Sequence, residues 1–263
     1  MTEKEHAHSL KLNREIAYQG KIGKRRENFC VNYIRRKQAS LSRIQREVFE
    51  RIERSGEEIT CQKDCSFCCV LYIEANIQEC EAIVYYLYEN RPTLSLFLQQ
   101  YPEWINRMRQ SGDIFKRCEQ ALYGNRNAGE NGSTQQALAD ALLFYKMQNI
   151  PCPFLYGELC AIYEVRPYTC ANHYVTTPAE WCSPLNPNQP KVYEAIIDEV
   201  IFDLTFYYQR LSKPLITFMP LTVYEVLNRG LSYLSRVTSL ESLEYEVMND
   251  PEIIKILQDN GAL

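Results

Sequence analysis

Eight of the eleven cysteines of this 263-residue chain are concentrated in two blocks. The first block has the pattern C-x3-C-x2-C-C and contains Cys61, Cys65, Cys68 and Cys69. The second lies in a proline-rich stretch and contains Cys152, Cys160, Cys170 and Cys182. Thiolates spaced this closely can converge on one ion or cluster while the backbone turns around it. The sequence therefore predicts a metal centre built from these eight cysteines.

The alternative is a set of buried or disulfide-bonded cysteines. An odd total of eleven cannot be used up by pairing, and 46% hydrophobic residues supply a core without covalent staples. The first fifteen residues are polar and lack the apolar core of a secretory signal, and no run of about 18 apolar residues could span a membrane. We therefore expect a cytoplasmic protein, with reduced thiols and no membrane association.

The number of cysteines constrains the metal stoichiometry. Eight thiolates on one divalent ion would leave a large uncompensated negative charge, which is costly to bury. We therefore expect two or more metals, a multi-iron cluster, or ligation by only part of the set. Adjacent side chains diverge, so one of Cys68 and Cys69 can ligate while the other bridges, reaches a second metal or remains a thiol.

Apolar periodicity predicts a mainly α-helical fold, with helices packed around an irregular, Pro- and Cys-rich metal-binding centre. The predicted helices are 31–54, 77–90, 111–123, 133–148, 191–211, 221–236 and 239–258. Seven prolines exclude a long helix in 151–190, and 124–134 has the composition of an exposed loop. We divide the chain into a basic helical N-terminal segment (1–60), a cysteine-cluster metal-binding domain (61–190) and a helical C-terminal segment packed on it (191–263).

The remaining cysteines have a different setting. Cys80 and Cys118 share helical stripes with apolar residues, and we expect both, with Cys30, to be structural, because buried free cysteine behaves as a small hydrophobe. His173, three residues after Cys170, is a candidate ligand, although a histidine in a polar loop is more often a bystander.

Other residues near the second block have open roles. Arg166 can either donate to the sulfurs or pair with Glu164. Tyr163, Tyr168 and Tyr174 are candidates for shielding the metal from water.

A family resemblance joins the two blocks. The C-x3-C-x2-C-C motif, the helix after it and the run CPFL…G…C-x-IYEVRP-x-x-C resemble the YkgJ or CxxCxxCC family over about residues 61–182. Its members are described as zinc- or iron-chelating proteins, and older labels call them iron–sulfur oxidoreductases. The resemblance implies that the first seven block cysteines are metal residues, and Cys182 fits a looser trailing cysteine.

One position departs from the family pattern. The family often has Arg directly after the cysteine that follows the RP motif, where this chain has Ala171. A charge contact is therefore absent, or another residue supplies it.

The primary functional hypothesis is a metal-binding protein of the YkgJ type, with a multi-cysteine zinc, iron or iron–sulfur centre. The alternative is an enzyme with a [4Fe–4S] cluster, such as an oxidoreductase. An S-adenosylmethionine-dependent protein lysine N-methylase is another option, because flagellin lysine N-methylases resemble this cysteine domain. The spacing Cys61-x3-Cys65-x-Phe67-Cys68 also matches radical S-adenosylmethionine enzymes, in which three cysteines hold three irons. Those enzymes resemble partial β/α barrels, and this chain shows no strand–helix alternation.

Charge is distributed unevenly along the chain. Residues 1–55 contain 14 Lys or Arg against 7 Asp or Glu, and the rest contains 15 against 26. A basic segment can contact nucleic acid or an acidic partner, or be a solvated helix face. No nucleic-acid motif accompanies it, so we do not expect nucleic-acid binding. The partner or substrate protein remains unidentified, and no phosphate loop or carboxylate–histidine set favours a hydrolase or phosphotransferase.

Overall fold

The computed structural model describes residues 20–112, 114–128, 132–194 and 216–229. The fold of these residues is mainly helical, which confirms the predicted fold class. The longer helices are α1 (Gly20–Arg54), α2 (Ile77–Glu89), α3 (Arg91–Gln110), α4 (Ile114–Ala128) and α5 (Gly132–Met147). Two shorter helices follow, α6 (Tyr168–Ala171) and α7 (Met219–Arg229).

Six short strands form three two-stranded ladders in the described ranges. The strands are β1 (Glu74–Asn76), β2 (Leu155–Tyr156), β3 (Leu159–Cys160), β4 (His173–Val175), β5 (Val192–Glu194) and β6 (Ile216–Phe218). β1 pairs with β6, β2 with β3 and β4 with β5, and each pair is antiparallel. The ladder β1–β6 ties the segment after the first cysteine block to the start of α7.

The first helix, α1, is longer than predicted because it begins at Gly20 in a polar stretch that carries no apolar stripe. The apolar stripe predicted for 31–54 includes Val31, Ile44 and Val48. Ile44 and Val48 do face inward, where they pack against Tyr168 and Tyr174. The prediction was wrong for Val31, which is 47% exposed. Phe29 and Tyr33 face the core. Val31 is two positions from each of them, so it lies on the opposite side of the helix.

The main core lies among α2, α3, α4, α5 and α7. Stacked aromatic rings connect it to the irregular segments. Phe97 of α3 stacks on Phe154 with centroids 4.3 Å apart, and Tyr72 stacks on Phe218 at the same distance. These rings fix the segments next to both cysteine blocks against the helices.

Helix α3 was not predicted, and Pro92 was expected only to limit the helix before it. Pro92 instead lies in the first turn, where its missing N–H costs no hydrogen bond. The expected loop 124–134 is also shorter than predicted, since α4 continues to Ala128 and α5 begins at Gly132. Packing of α4 on α5 offsets the weak helix propensity of the glycines and asparagines there, which is about 1 kcal/mol per glycine.

The other predicted elements have mixed outcomes. Helices 77–90, 111–123 and 133–148 correspond to α2, α4 and α5, and in 151–190 the longest helix has four residues, as expected. The predicted helix 191–211 was wrong at its start, where β5 pairs with β4 because backbone pairing overrides the local pattern. Its remainder, and the predicted helix 239–258, lie outside the described residues.

Helix α7 covers the first part of the helix predicted for 221–236. The remainder of that predicted helix lies outside the described ranges. The division of the chain into three segments stays a prediction. No helix in the described ranges has the length and apolarity needed to cross a bilayer.

Candidate metal centre

The two cysteine blocks meet in space, as predicted. The backbone N–H of Cys152 donates to the carbonyl oxygen of Cys69 at 2.8 Å. The 3₁₀ turn Phe67–Val70 also packs against the 3₁₀ turn Ala179–Cys182. The second block therefore contacts the first through its first and its last cysteine.

The first block is anchored on β4. The N–H of Thr60 donates to the oxygen of Val175 at 2.9 Å, and the N–H of Val175 donates to Sγ of Cys61 at 3.2 Å. Turn hydrogen bonds then reverse the chain twice, from Cys65 N–H to Gln62 O at 3.1 Å and from Cys69 N–H to Ser66 O at 2.9 Å. The first block can hold its cysteines this close together because its backbone is a series of turns.

The second block is presented by a hairpin and two single turns. In the β2–β3 ladder Leu155 is paired with Cys160, and Gly157 at the bend has a φ of 60° that favours glycine. Cys170 lies in the one-turn helix α6, and Cys182 ends the 3₁₀ turn that packs on the first block.

Cys68 is the electrostatic centre of the cysteine set. Burial is the main cause that raises the pKa of six other block thiols, and the charge of Cys68 raises each of them further. These six are Cys61, Cys65, Cys152, Cys160, Cys170 and Cys182. Six thiols distributed over both blocks are therefore close enough to Cys68 to sense its charge.

The charges that act on each pKa divide the block thiols other than Cys68 into two groups. Burial raises the pKa of Cys182 to about 12, with contributions from the charges of Cys61, Cys68 and Cys65. The pKa of Cys170 is raised well above its usual range by burial, followed by the charges of Cys68, Cys160 and Cys152. We call Cys61, Cys65 and Cys182 the first group, and Cys69, Cys152, Cys160 and Cys170 the second.

The adjacent thiols of Cys68 and Cys69 form a coupled pair. A hydrogen bond from the Cys69 thiol holds the pKa of Cys68 below its usual range, and the charge of Arg166 acts in the same direction. The pKa of Cys69 is raised, first by the same hydrogen bond and then by burial. Of the two, Cys68 therefore carries the negative charge more readily.

Arg166 supplies positive charge to the centre. Its guanidinium lies 4.0 Å from the ring centroid of Tyr163, and its charge opposes the rise in pKa of Cys61, Cys160 and Cys170. Among the described residues no ion pair joins it to Glu164. Of the two expected roles of Arg166, the structure favours the one beside the sulfurs.

The other candidate residues near the centre are partly placed. Tyr168 and Tyr174 are buried and Tyr163 is half-buried, while their role in shielding a metal stays a prediction. His173 begins β4 instead of lying in a loop, and its backbone oxygen is 3.9 Å from Sγ of Cys61. Ligation by its imidazole stays a prediction.

The donor chemistry fits zinc or iron, because thiolates are preferred ligands of both zinc sites and iron–sulfur clusters. Within the described part of the chain, no group of three or more His, Cys, Asp or Glu side chains is gathered closely enough to hold an ion. Most block thiols also have a raised pKa, so a metal would displace their protons. Binding is therefore expected to release protons.

The three cysteines outside the blocks are fully buried in helices, as expected. Cys30, Cys80 and Cys118 are each 0% exposed. The thiol of Cys118 donates to the oxygen of Ala141 at 3.4 Å, and burial is the main cause that raises its pKa to about 11. Their purely structural role stays a prediction.

Two features near the centre were missed from the sequence. Lys37 and Glu79 form a buried ion pair, which Lys37 could have signalled because it lies on the inner stripe of α1. A cleft of about 310 Å³ lies between α3 and residues 150–157, and Trp104, Arg107 and Cys152 line it. No sequence signal indicated this cleft, because its two walls are far apart along the chain.

One comparison with known proteins finds a match that covers both cysteine blocks. Residues 60–185 match the sequence model of the CxxCxxCC family, whose description is "putative zinc- or iron-chelating domain". No curated protein and no solved structure matches the chain. The matched range contains all eight block cysteines and excludes Cys30. Residues 60–185 are therefore similar to the cysteine-cluster domain of the CxxCxxCC family.

Proposed function

We propose that the protein binds more than one atom of zinc or iron through its eight block cysteines, as a centre of the YkgJ type. An iron–sulfur cluster is one form of such a centre. The observation that supports this proposal best is the position of Cys68 between two groups of thiols. Together with Cys68, the first group offers four sulfurs, and the second group offers four of its own.

Zinc sites and iron–sulfur clusters share the same number of protein ligands, which is four. A structural zinc site is closed by four ligands, and iron–sulfur clusters are held by four cysteines. Two sets of four sulfurs can therefore occupy two metal sites without surplus ligands. Cys68, with its lowered pKa and its place between the groups, is the sulfur best suited to bridge them.

The surrounding residues would support such a centre. Arg166 offsets part of the negative charge of the thiolates, and Cys152 and Cys170 are half-buried. When bound, zinc would cross-link the blocks, and iron–sulfur would add the capacity for electron transfer. The basic residues of α1 need no nucleic-acid partner in this proposal.

Metal analysis of anaerobically purified protein tests the proposal. We expect more than one metal atom per chain, and a visible absorption spectrum distinguishes iron–sulfur from zinc. Serine variants of Cys65 and Cys160 should each lose part of the metal, because the two residues belong to different groups. At most one atom per chain, unaffected by either substitution, would defeat the proposal.

Catalysis by a [4Fe–4S] centre is a second candidate, and the cleft lined by Cys152 favours it. The cleft has the size of a small ligand site and reaches the cysteines, with Arg107 and Glu103 among its polar residues. The described strands form antiparallel pairs, unlike the partial barrels of radical S-adenosylmethionine enzymes.

Calorimetric titration of the metal-loaded protein with S-adenosylmethionine tests this candidate. Saturable binding that Trp104→Ala weakens would support a cofactor site in the cleft. Absence of binding would leave the metal-binding proposal intact and exclude this form of catalysis.

A further inference from the structure

We propose that the buried ion pair Lys37–Glu79 is a positioning device of the metal centre. It holds the segment 164–168, which presents Arg166 and leads into Cys170. Helix α1, which precedes the family domain at residues 60–185, would then be part of the working centre. This inference rests on the proposed binding of metal by the block cysteines.

The pair is unusual in its burial. Nζ of Lys37 lies 3.0 Å from Oε1 of Glu79, and the two side chains are 4% and 2% exposed. Charged residues are rarely buried to this degree, and removal of one partner leaves an uncompensated charge in the interior. By contrast, the ion pair of Lys24 with Glu27 on the same helix is largely exposed.

Each member of the pair holds one end of the same backbone segment. Nζ of Lys37 donates to the oxygen of Val165 at 3.4 Å, and Oε1 of Glu79 accepts from the N–H of Tyr168 at 2.9 Å. Next to Lys37, Nε2 of Gln38 donates to the oxygen of Glu164 at 3.3 Å. Arg166 lies between the two held positions.

This arrangement couples α1 to the sulfurs. Tyr168 begins the one-turn helix that contains Cys170, and Arg166 stacks on Tyr163 beside the thiols. A shift of the segment would therefore move a ligand candidate and the main positive charge together. A pair of apolar residues could not hold the segment in this position, because the oxygen of Val165 and the N–H of Tyr168 would lose these hydrogen-bond partners.

The test compares Lys37→Met, Lys37→Arg, Glu79→Gln and the double variant Lys37→Met/Glu79→Gln in the full chain. Lys24→Met on the same helix is the matched control, because it removes a charge from an exposed pair. Three quantities are measured: zinc affinity by competition with a chelator, the thiolate-to-metal absorption of the cobalt(II) form, and the alkylation rate of Cys170. Thermal unfolding of each metal-free variant reports any loss of the fold.

We expect Lys37→Met to weaken zinc binding by about 10- to 100-fold, as substitutions around metal ligands commonly do. Its cobalt form should show weaker thiolate absorption per cobalt, and Cys170 should become easier to alkylate than Cys61. Lys37→Arg should retain most of the affinity, and Lys24→Met should match the wild type.

The double variant covers the case in which Lys37→Met fails to fold. It carries no buried charge, and Gln can still accept from Tyr168, but the oxygen of Val165 has lost its donor from Lys37. Wild-type zinc affinity and Cys170 reactivity in a folded variant that lacks Lys37 would overturn the inference. If the wild-type protein itself binds no metal, the proposed function fails first.

Discussion

The helical body and the cysteine region achieve order in different ways. The helical body, formed by α2 to α5 and α7, buries long apolar side chains, and Leu87, Val223 and Leu227 are fully buried. The cysteine region, residues 60–71 and 152–182, has no element longer than four residues among those described. Backbone hydrogen bonds between turns and a few anchor rings hold it together. The body is therefore held together by apolar packing, and we expect the region to depend on metal cross-links.

The energy balance explains the contrast. Ordering the backbone costs about 1–2 kcal/mol per residue wherever it occurs. In the helical body the burial of apolar area offsets this cost. In the cysteine region most of the thiols are only half-buried, and we expect them to gain most when they bind a metal. Removal of metal should therefore destabilise the cysteine region far more than the helical body.

Metal removal should separate the two parts most clearly. We expect chelation to increase amide hydrogen exchange in 60–71 and 152–182 together, because a backbone hydrogen bond joins the two blocks. Exchange in α2 and α3 should change little, and far-UV circular dichroism should retain most of its helical signal. Exchange that rises in 152–182 but not in 60–71 would contradict a shared centre.

Two substitutions, one in each part, should affect stability and metal content in opposite ways. Leu87→Ala should lower the free energy of unfolding by about 2–5 kcal/mol, because it leaves a cavity in the helical body. Its metal content per folded chain should not change. Cys170→Ser should lose metal while the metal-free protein unfolds at nearly the wild-type temperature. Denaturant titration with metal analysis measures both, and loss of metal in Leu87→Ala would show that the two parts are not separate.

The same contrast explains what could be predicted from the sequence. Apolar periodicity is a local signal, so α2, α4 and α5 were found, as was the end of α1 before Gly56, whose φ is 73°. Close cysteine spacing is local too, and it identified the blocks. Helix α3 was missed because prolines are tolerated where no N–H is needed, which sequence position alone does not show.

What the sequence could not show depends on long-range contacts. Lys37 meets Glu79 and Val165 only after folding, and Arg166 likewise comes to lie over the ring of Tyr163. The pairing of β5 with β4 likewise overrode a helical pattern after residue 191. The positions of the thiols relative to one another, with Cys68 between two groups, also had no sequence signal.

The cysteines of the helical body offer a finer test of the comparison. Cys80→Ala and Cys118→Ala should each destabilise the protein by about 1 kcal/mol, which is typical for a modest loss of buried contacts. Both variants should keep the wild-type metal content, because these thiols lie in apolar helix packing. Metal analysis beside thermal unfolding checks this, and a variant that stays folded but loses metal would assign a ligand role to that thiol.

The smallest effect should come from the exposed ion pair at the edge of the cysteine region. Glu57 contacts Lys191 and accepts a hydrogen bond from Thr176, so it ties the end of α1 to the segment before β5. The hydrogen bond from Lys191, followed by that from Thr176, holds the pKa of Glu57 below its usual range.

A carboxyl group whose pKa is lower in the folded than in the unfolded state stabilises the fold above its unfolded pKa. This contribution is lost as the pH falls through the folded pKa, which for Glu lies below about 4.3.

Because the pair is solvent-exposed and screened by salt, its effect should be small compared with that of Lys37 and Glu79. Glu57→Gln should therefore lower Tm only slightly at neutral pH and reduce the loss of Tm in acid. Melting curves of both proteins at low and high salt measure this, and identical acid dependence would show that Glu57 contributes nothing to the stability of the region.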